Sequence, residues 1–142
     1  KKKKKMEEKQ LHKLVPDKLF FRYKIHQTNY FFSLNWEGNI LVVKQFRKHP
    51  SKDEQIEIVP DHEAWTDFWD ELSLIDVWGW FELYEVKCTD SCVADDEWRV
   101  YIKFGDEHVE SYGSNSYPPT FRDFIKIVEE LTGVVIEFIH QD

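Results

Sequence analysis

The chain of 142 residues contains only two cysteines, Cys88 and Cys92, and six histidines that are scattered singly. A structural zinc site takes four ligands, normally two closely spaced Cys or His pairs. No second pair follows the cysteines, because His108 and His140 stand alone. We therefore expect no metal or other cofactor, two free thiols in a polar loop, and surface or capping roles for the histidines.

Long apolar runs are also lacking. A helix that spans a bilayer needs about 20 apolar residues, whereas the longest clean runs, such as Ile40–Val43, have the length of a strand. Leu14–Phe21 does not fit a secretory signal, because Pro16, Asp17 and Lys18 interrupt it. With no export signal and so few cysteines, the sequence predicts a cytoplasmic protein that has no membrane partner.

Recognisable catalytic motifs are missing too. The sequence has no Gly-x-Ser-x-Gly elbow, and the glycine-containing stretch 111–119 lacks the Lys-Ser/Thr pair of a phosphate loop. The consecutive carboxylates Asp95, Asp96 and Glu97 lack the alternation and the glycine of a calcium loop. These absences favour a protein that is not an enzyme.

Aromatic residues, by contrast, are abundant: they make up 16% of the chain, and six of them are tryptophans. Buried rings remove large areas from water, and Tyr and Trp also carry a polar tip that suits binding surfaces. The length and a hydrophobic content of 42% are typical of one globular domain. Composition thus predicts one core and leaves open whether some rings form a binding surface.

Charge is unevenly distributed along the chain. Residues 1–24 carry ten Lys and Arg against three Asp and Glu, which leaves a net charge of −15 on the other 118 residues. Lys1–Lys5 precede Met6, the only methionine, and this order is typical of an added tag. We expect a basic N-terminal segment over residues 1–17 and a single domain over 18–142. An acidic body disfavours nucleic acid as a partner and suits a basic protein.

Alternating apolar residues predict a sheet. Lys18–His26 alternates with a period of two, and Tyr30–Trp36 and Asn39–Phe46 flank the hairpin signal Glu37-Gly38. The remaining pattern predicts strands over 55–59, 81–86, 98–104, 107–112 and 134–139, with polar loops over 47–54 and 87–96.

Two segments change to helical spacing. Asp61 is predicted to cap a helix that ends near Ile75, with apolar residues at i, i+3, i+4 and i+7. Thr120 resembles an N-cap with Asp123 three residues on, and Gly133 is suited to end the second helix. Blocks of strands with helices between them predict an α+β fold, a mostly antiparallel sheet with two helices packed on one face.

Two indoles, Trp78 and Trp80, flank Gly79 directly after the first predicted helix. Such a pair could form a stacking or peptide-binding surface. Closure of the core is the favoured alternative, because the neighbouring Phe81, Leu83 and Tyr84 also look buried. Both readings stay open, and the two tryptophans are candidate binding residues.

The stretch from Tyr112 to Tyr117 is the second candidate site. Its Ser114 and Asn115 can bond nearby amides or tolerate positive φ, so the stretch could cradle an anion above the helix that follows. A structural turn between strand and helix is the favoured alternative. As a small-ligand or enzyme site, the turn would act with Asp76 or His108.

The C-terminal half is similar to small uncharacterised bacterial proteins. The likeness covers roughly residues 65–132, and one departure is that Asp95-Asp96-Glu97 stands where such proteins often have Asp-Gly. The resemblance implies a fold and no activity. It rests on Trp78-Gly79-Trp80, Trp98-x-Val-x-Ile102, Tyr112-Gly113-Ser114-Asn115-x-Tyr117-Pro118, Phe121 and Phe124.

These observations favour a non-enzymatic, acidic protein-binding module, such as an inhibitor or immunity-like protein that acts on a basic partner. A strongly negative surface steers association with such a partner and can mimic nucleic acid. The alternative function is a small-ligand binder or enzyme with its site at the Tyr112–Tyr117 turn.

Overall fold

The computed structural model describes residues 14–86 and 96–138, which form one sheet and two helices. The sheet has seven strands: β1 (Lys18–Ile25), β2 (Tyr30–Trp36), β3 (Leu41–Arg47), β4 (Lys52–Ile58), β5 (Leu83–Glu85), β6 (Asp96–Phe104) and β7 (Glu107–Ser114). Their spatial order is β4-β3-β2-β1-β6-β7-β5, and every pair is antiparallel except β5 with β7. The predicted α+β fold with a mostly antiparallel sheet is confirmed.

Three of the predicted strands differ substantially from the structure, and β6 and β7 are each two residues longer than predicted. The fourth strand begins at Lys52 inside the predicted polar loop, because Lys52–Glu54 pair with β3 even though their side chains are polar. The fifth strand has only three residues and runs parallel to its neighbour. Residues 134–138 form no strand, and Ile139 lies outside the described residues.

Two helices follow the predicted spacing: α1 (His62–Leu74) and α2 (Phe121–Thr132). The Asp61 carboxylate accepts a hydrogen bond from the Ala64 amide at 2.8 Å, and Gly133 ends α2 with a φ of 73°. The prediction for Thr120 is wrong in one respect. Its hydroxyl makes no capping bond, because it accepts from the Trp80 indole at 3.0 Å.

The core lies between the helices and one face of the sheet. Alternate residues of β1, from Leu19 to Ile25, are almost fully buried, as the period of two predicts. The centroid of the Phe21 ring lies 5.0 Å from that of Phe124 and 6.2 Å from that of Phe121, and both pairs pack edge to face. The opposite face, which we call the open face, has no helix over it among the described residues.

Candidate functional site

Of the predicted site residues, Trp78 and Trp80 lie half-buried against the core. The Trp80 indole donates its N–H to Thr120, and its ring lies 5.3 Å from the Phe124 ring. The Trp78 indole donates to the Ser73 hydroxyl at 3.3 Å. Both rings therefore help to close the core where the chain leaves α1.

Asn115 and Tyr117 fasten the turn to the start of β6. The Asn115 side-chain oxygen accepts from the Asp96 amide at 3.1 Å, while the Asp96 carbonyl accepts from the Asn115 amide at 3.0 Å. The Tyr117 hydroxyl donates to the Asp96 carboxylate at 3.3 Å, and burial raises the pKa of Tyr117, which keeps the phenol neutral. These contacts are those of a structural turn.

Tyr112 and Ser114, in contrast, face away from the helices. Tyr112 pairs with Leu83 of β5, and the two side chains are 40% and 46% exposed. Of the three residues expected to be buried, Tyr84 packs against the core, whereas the expectation is wrong for Leu83, which points to the open face, and for Phe81, which is 72% exposed. These side chains form an exposed apolar margin at the β5 edge of the sheet.

Strand register brings distant residues into one row across the open face. Arg22 of β1 lies directly opposite Arg99 of β6, and Arg99 lies opposite Tyr112 of β7. On the other side of Arg22, Ser33 separates it from Lys44 of β3. The row, which we call the central row, consists of Lys44, Ser33, Arg22, Arg99, Tyr112 and Leu83.

The open face is positive at its centre although the chain is acidic. On β1, β2, β3 and β6, six cations and only one carboxylate, Glu97, point to this side, and Glu97 already bonds His26 at 2.7 Å. Acidic residues occupy the outer strands of the same face, at Asp53 and Glu57 on β4 and at Glu85 and Glu110 on β5 and β7. The six cations are Lys18, Arg22, Lys24, Lys44, Arg99 and Lys103.

The two opposed arginines stack on rings instead of pairing with acids. The Arg22 guanidinium lies 5.4 Å from the centre of the Phe31 ring, and the Arg99 guanidinium lies 5.5 Å from that of Tyr112. Among residues 14–86 and 96–138, no carboxylate lies within ion-pair distance of either arginine. Each guanidinium group thus lies beside a ring and has no ion-pair partner among these residues.

A cavity of about 520 Å³ opens on this face between the central strands and β5. Of the six predicted site residues it contains Tyr112 and Ser114, and neither Asp76 nor His108 lines it. Sequence reasoning missed the residues at its charged end, Arg22, Lys24 and Arg99. The full lining is Phe20, Arg22, Lys24, Leu83, Glu85, Glu97, Trp98, Arg99, Tyr112, Gly113 and Ser114.

The helical side of the molecule carries the opposite charge. Helix α1 has four carboxylates and no Lys or Arg, and Asp61 precedes it. Partial burial and the neighbouring Glu130 and Asp67 raise the pKa of Glu71 above its ordinary value. The acidic residues therefore lie on α1 and on the outer strands, and they do not extend to the centre of the sheet.

Several predicted features lie outside the described residues, namely Cys88, Cys92, Asp95, His140 and residues 1–13 of the basic N-terminal segment. In the part of the chain that the structure describes, no group of His, Cys, Asp and Glu side chains is arranged to hold a metal ion. No helix there combines the length and the apolar character that a bilayer crossing requires.

Comparison with protein-family models, with curated proteins and with solved structures gives no match to this chain. The resemblance to small uncharacterised bacterial proteins stays a prediction. Function must therefore be inferred from the geometry of the open face and of the helices.

Proposed function

We propose that this protein is a non-enzymatic binding module whose working surface is the open face of the sheet, and that its partner is anionic. The observation that supports this most strongly is the direct opposition of Arg22 and Arg99 on adjacent central strands. Like charges at paired positions destabilise a sheet by about 0.2–1 kcal/mol. A protein that keeps such a pair without a carboxylate partner has a surface suited to an external anion.

The rings beside the arginines support the same proposal. Stacking on Phe31 and Tyr112 restricts the two guanidinium groups before any partner arrives, which reduces the entropy lost on binding. Planar guanidinium groups present paired N–H donors that match the oxygen atoms of a carboxylate or phosphate. The face combines oriented charge with apolar contact, as recognition surfaces do.

The cavity lining also favours binding over catalysis. Its described residues supply three cations, two carboxylates, rings and the hydroxyls of Tyr112 and Ser114, and they include no histidine or cysteine. Of the two carboxylates, Glu97 is bonded to His26. We therefore assign the charged groups to recognition.

Thermal denaturation with inorganic phosphate as the probe, at constant ionic strength, tests the proposal. We expect the melting temperature of the wild type to rise with phosphate along a saturating curve, because a ligand that binds only the folded state stabilises it. The double variant Arg22→Gln/Arg99→Gln should lose this rise. Without phosphate it should be more stable than the wild type by about 0.2–1 kcal/mol, since the repulsion is removed.

A matched control removes two exposed cations elsewhere, in Lys48→Gln/Lys126→Gln. This variant should keep the full phosphate response. An equal response in the wild type and in both double variants would show a general salt effect and would contradict the proposal.

A second candidate function is supported by the acidic helix α1. Its carboxylates, together with Asp61, form a surface on the side opposite the central row that would attract a basic protein. The raised pKa of Glu71 reflects partial burial and crowding of negative charge that a cationic partner would relieve.

The two candidates respond to different substitutions. If α1 binds a basic protein, Asp67→Asn/Asp70→Asn should reduce the amount of that protein bound at low salt. Arg22→Gln/Arg99→Gln should leave the bound amount unchanged. If binding of the partner depends on the two arginines and not on these aspartates, α1 is not the binding surface and the second candidate function is eliminated.

A further inference from the structure

The cavity on the open face has two chemically different ends. Arg22, Lys24 and Arg99 supply positive charge at one end, and Tyr112 and Leu83 supply apolar surface at the other. Its volume of about 520 Å³ falls within the range of roughly 300–1,000 Å³ that is usual for small-molecule sites. The ligand should therefore be a small molecule with an anionic group at one side and an apolar group at the other.

The charged end suits a dianion better than a single carboxylate. Two arginines and a lysine line it, and the carboxylate of Glu97 within it is bonded to His26. A phosphomonoester carries a charge of about −1.5 to −2 at neutral pH and three acceptor oxygens. These oxygens can accept from guanidinium N–H groups.

The apolar end suits a ring that carries polar atoms at its rim. Tyr112 and Leu83 lie side by side, and the next row of the same face holds Ser114 opposite Glu85. A flat ring on Tyr112 and Leu83 would thus have a hydroxyl and a carboxylate along one edge. These acceptors fit a heteroaromatic ring with N–H donors, as in a nucleobase.

The outer strands limit the length of the ligand. Glu85 lines the cavity on the β5 side, Glu110 stands on β7, and Asp53 and Glu57 stand on β4 beyond Lys44. A long polyanion that crosses the whole sheet would meet the carboxylates of both outer edges, and charges within a Debye length of about 8 Å at physiological salt repel it.

From this arrangement we infer that the cavity binds a nucleoside monophosphate. The phosphate lies on Arg22 and Arg99, the base packs against Tyr112 and Leu83, and Glu85 accepts from the N–H groups of the base. This inference rests on the proposed function of the open face and names its ligand class. An aryl phosphate such as the phosphotyrosine side chain shares the phosphomonoester and the ring but lacks the N–H groups.

Isothermal titration of the full chain tests the inference with five probes: guanosine 5′-monophosphate, guanosine, inorganic phosphate, phenyl phosphate and a single-stranded oligonucleotide. Because stacking of a base on an aromatic side chain is worth a factor of about ten or more in affinity, the monophosphate should bind at least about tenfold more tightly than guanosine or phosphate. It should also bind more tightly than phenyl phosphate and the oligonucleotide.

Variants separate the two ends of the cavity. Leu83→Ala should weaken the monophosphate and leave inorganic phosphate unchanged, and Glu85→Gln should weaken the monophosphate without weakening phosphate. Tyr112→Ala, which also removes the ring beside Arg99, and Arg22→Gln/Arg99→Gln should weaken both. The control Lys48→Gln/Lys126→Gln should weaken neither.

The contradicting outcomes are distinct. Equal affinity for phosphate and monophosphate would overturn the nucleotide and leave the anion site standing, as would phenyl phosphate binding as tightly as the monophosphate. An oligonucleotide that binds more tightly than the monophosphate would overturn the length limit. If none of the phosphate-bearing probes binds, the proposed function itself fails.

Discussion

Replacing Phe21 by alanine is expected to lower the free energy of unfolding by about 3–5 kcal/mol, the usual cost of deleting a buried ring. The Phe21 ring is 0% exposed and contacts rings from both a neighbouring strand and α2, with centroid distances of 5.8 Å to Phe32 and 5.0 Å to Phe124. The cavity left behind would sit where sheet and helix meet, and neither element could collapse into it. Urea denaturation followed by circular dichroism measures the loss.

Phe31→Ala is the matched control on the open face. The Phe31 side chain is only half-buried and lies on the side that no described helix covers. Its loss should cost clearly less stability than the loss of Phe21. A larger cost at Phe31 would mean that the main core lies on the other face of the sheet, against the architecture described above.

Gly113→Ala should destabilise the protein by about 1–3 kcal/mol through overpacking. A Cβ atom at this position would lie 2.6 Å from Cε2 of the Trp98 indole and 2.7 Å from the Ser116 carbonyl oxygen. The same indole donates its N–H to that carbonyl at 2.8 Å, so the substitution would disturb the hydrogen bond as well. Urea denaturation gives the energy, and the tryptophan emission of the folded variant reports the displaced ring.

Gly105→Ala separates crowding from backbone strain. Gly105 has a φ of 59°, and a Cβ there would meet nothing within 4 Å. We expect a loss of about 1–2 kcal/mol from the left-handed backbone conformation and no change in tryptophan emission. An unchanged emission spectrum in Gly113→Ala would contradict the packing of Trp98 against this strand.

Much of the fold could be predicted because its elements are local patterns. The alternation over Lys18–His26 and the helical spacing after Asp61 each indicate one element and its buried side. The strand boundaries that were predicted wrongly depend on neighbouring strands in the sheet. Lys52–Glu54 are strand residues only because β3 lies beside them, and Leu83 is exposed because β5 forms the edge of the sheet.

The candidate site was much harder to predict, because strand register creates it. Arg22, Lys44 and Arg99 lie far apart in the sequence, and no local pattern brings them into one row. The net charge of the chain indicated an acidic body, because a net charge averages an acidic helix with a basic sheet centre. One signal was visible: the charged positions of β1 are Lys18, Arg22 and Lys24, and those of β6 include Arg99 and Lys103.

The six predicted site residues divide into two groups. Trp78, Trp80 and Tyr117 pack against the core and Asn115 fastens the turn, whereas Tyr112 and Ser114 reach the cavity. Tyr112 and Ser114 are two residues apart on β7 and therefore share one face of the sheet, while the other four lie outside the strands.

The central claim is that the open face of the sheet captures an anion at Arg22 and Arg99. The most direct measurement is a titration of the ¹⁵N-labelled protein with inorganic phosphate, followed by amide chemical shifts. The account predicts saturable shifts that cluster at Arg22, Arg99 and Tyr112 while the amides of α1 and α2 stay in place. Saturable shifts confined to the helices, or no saturable shift at all, would contradict it.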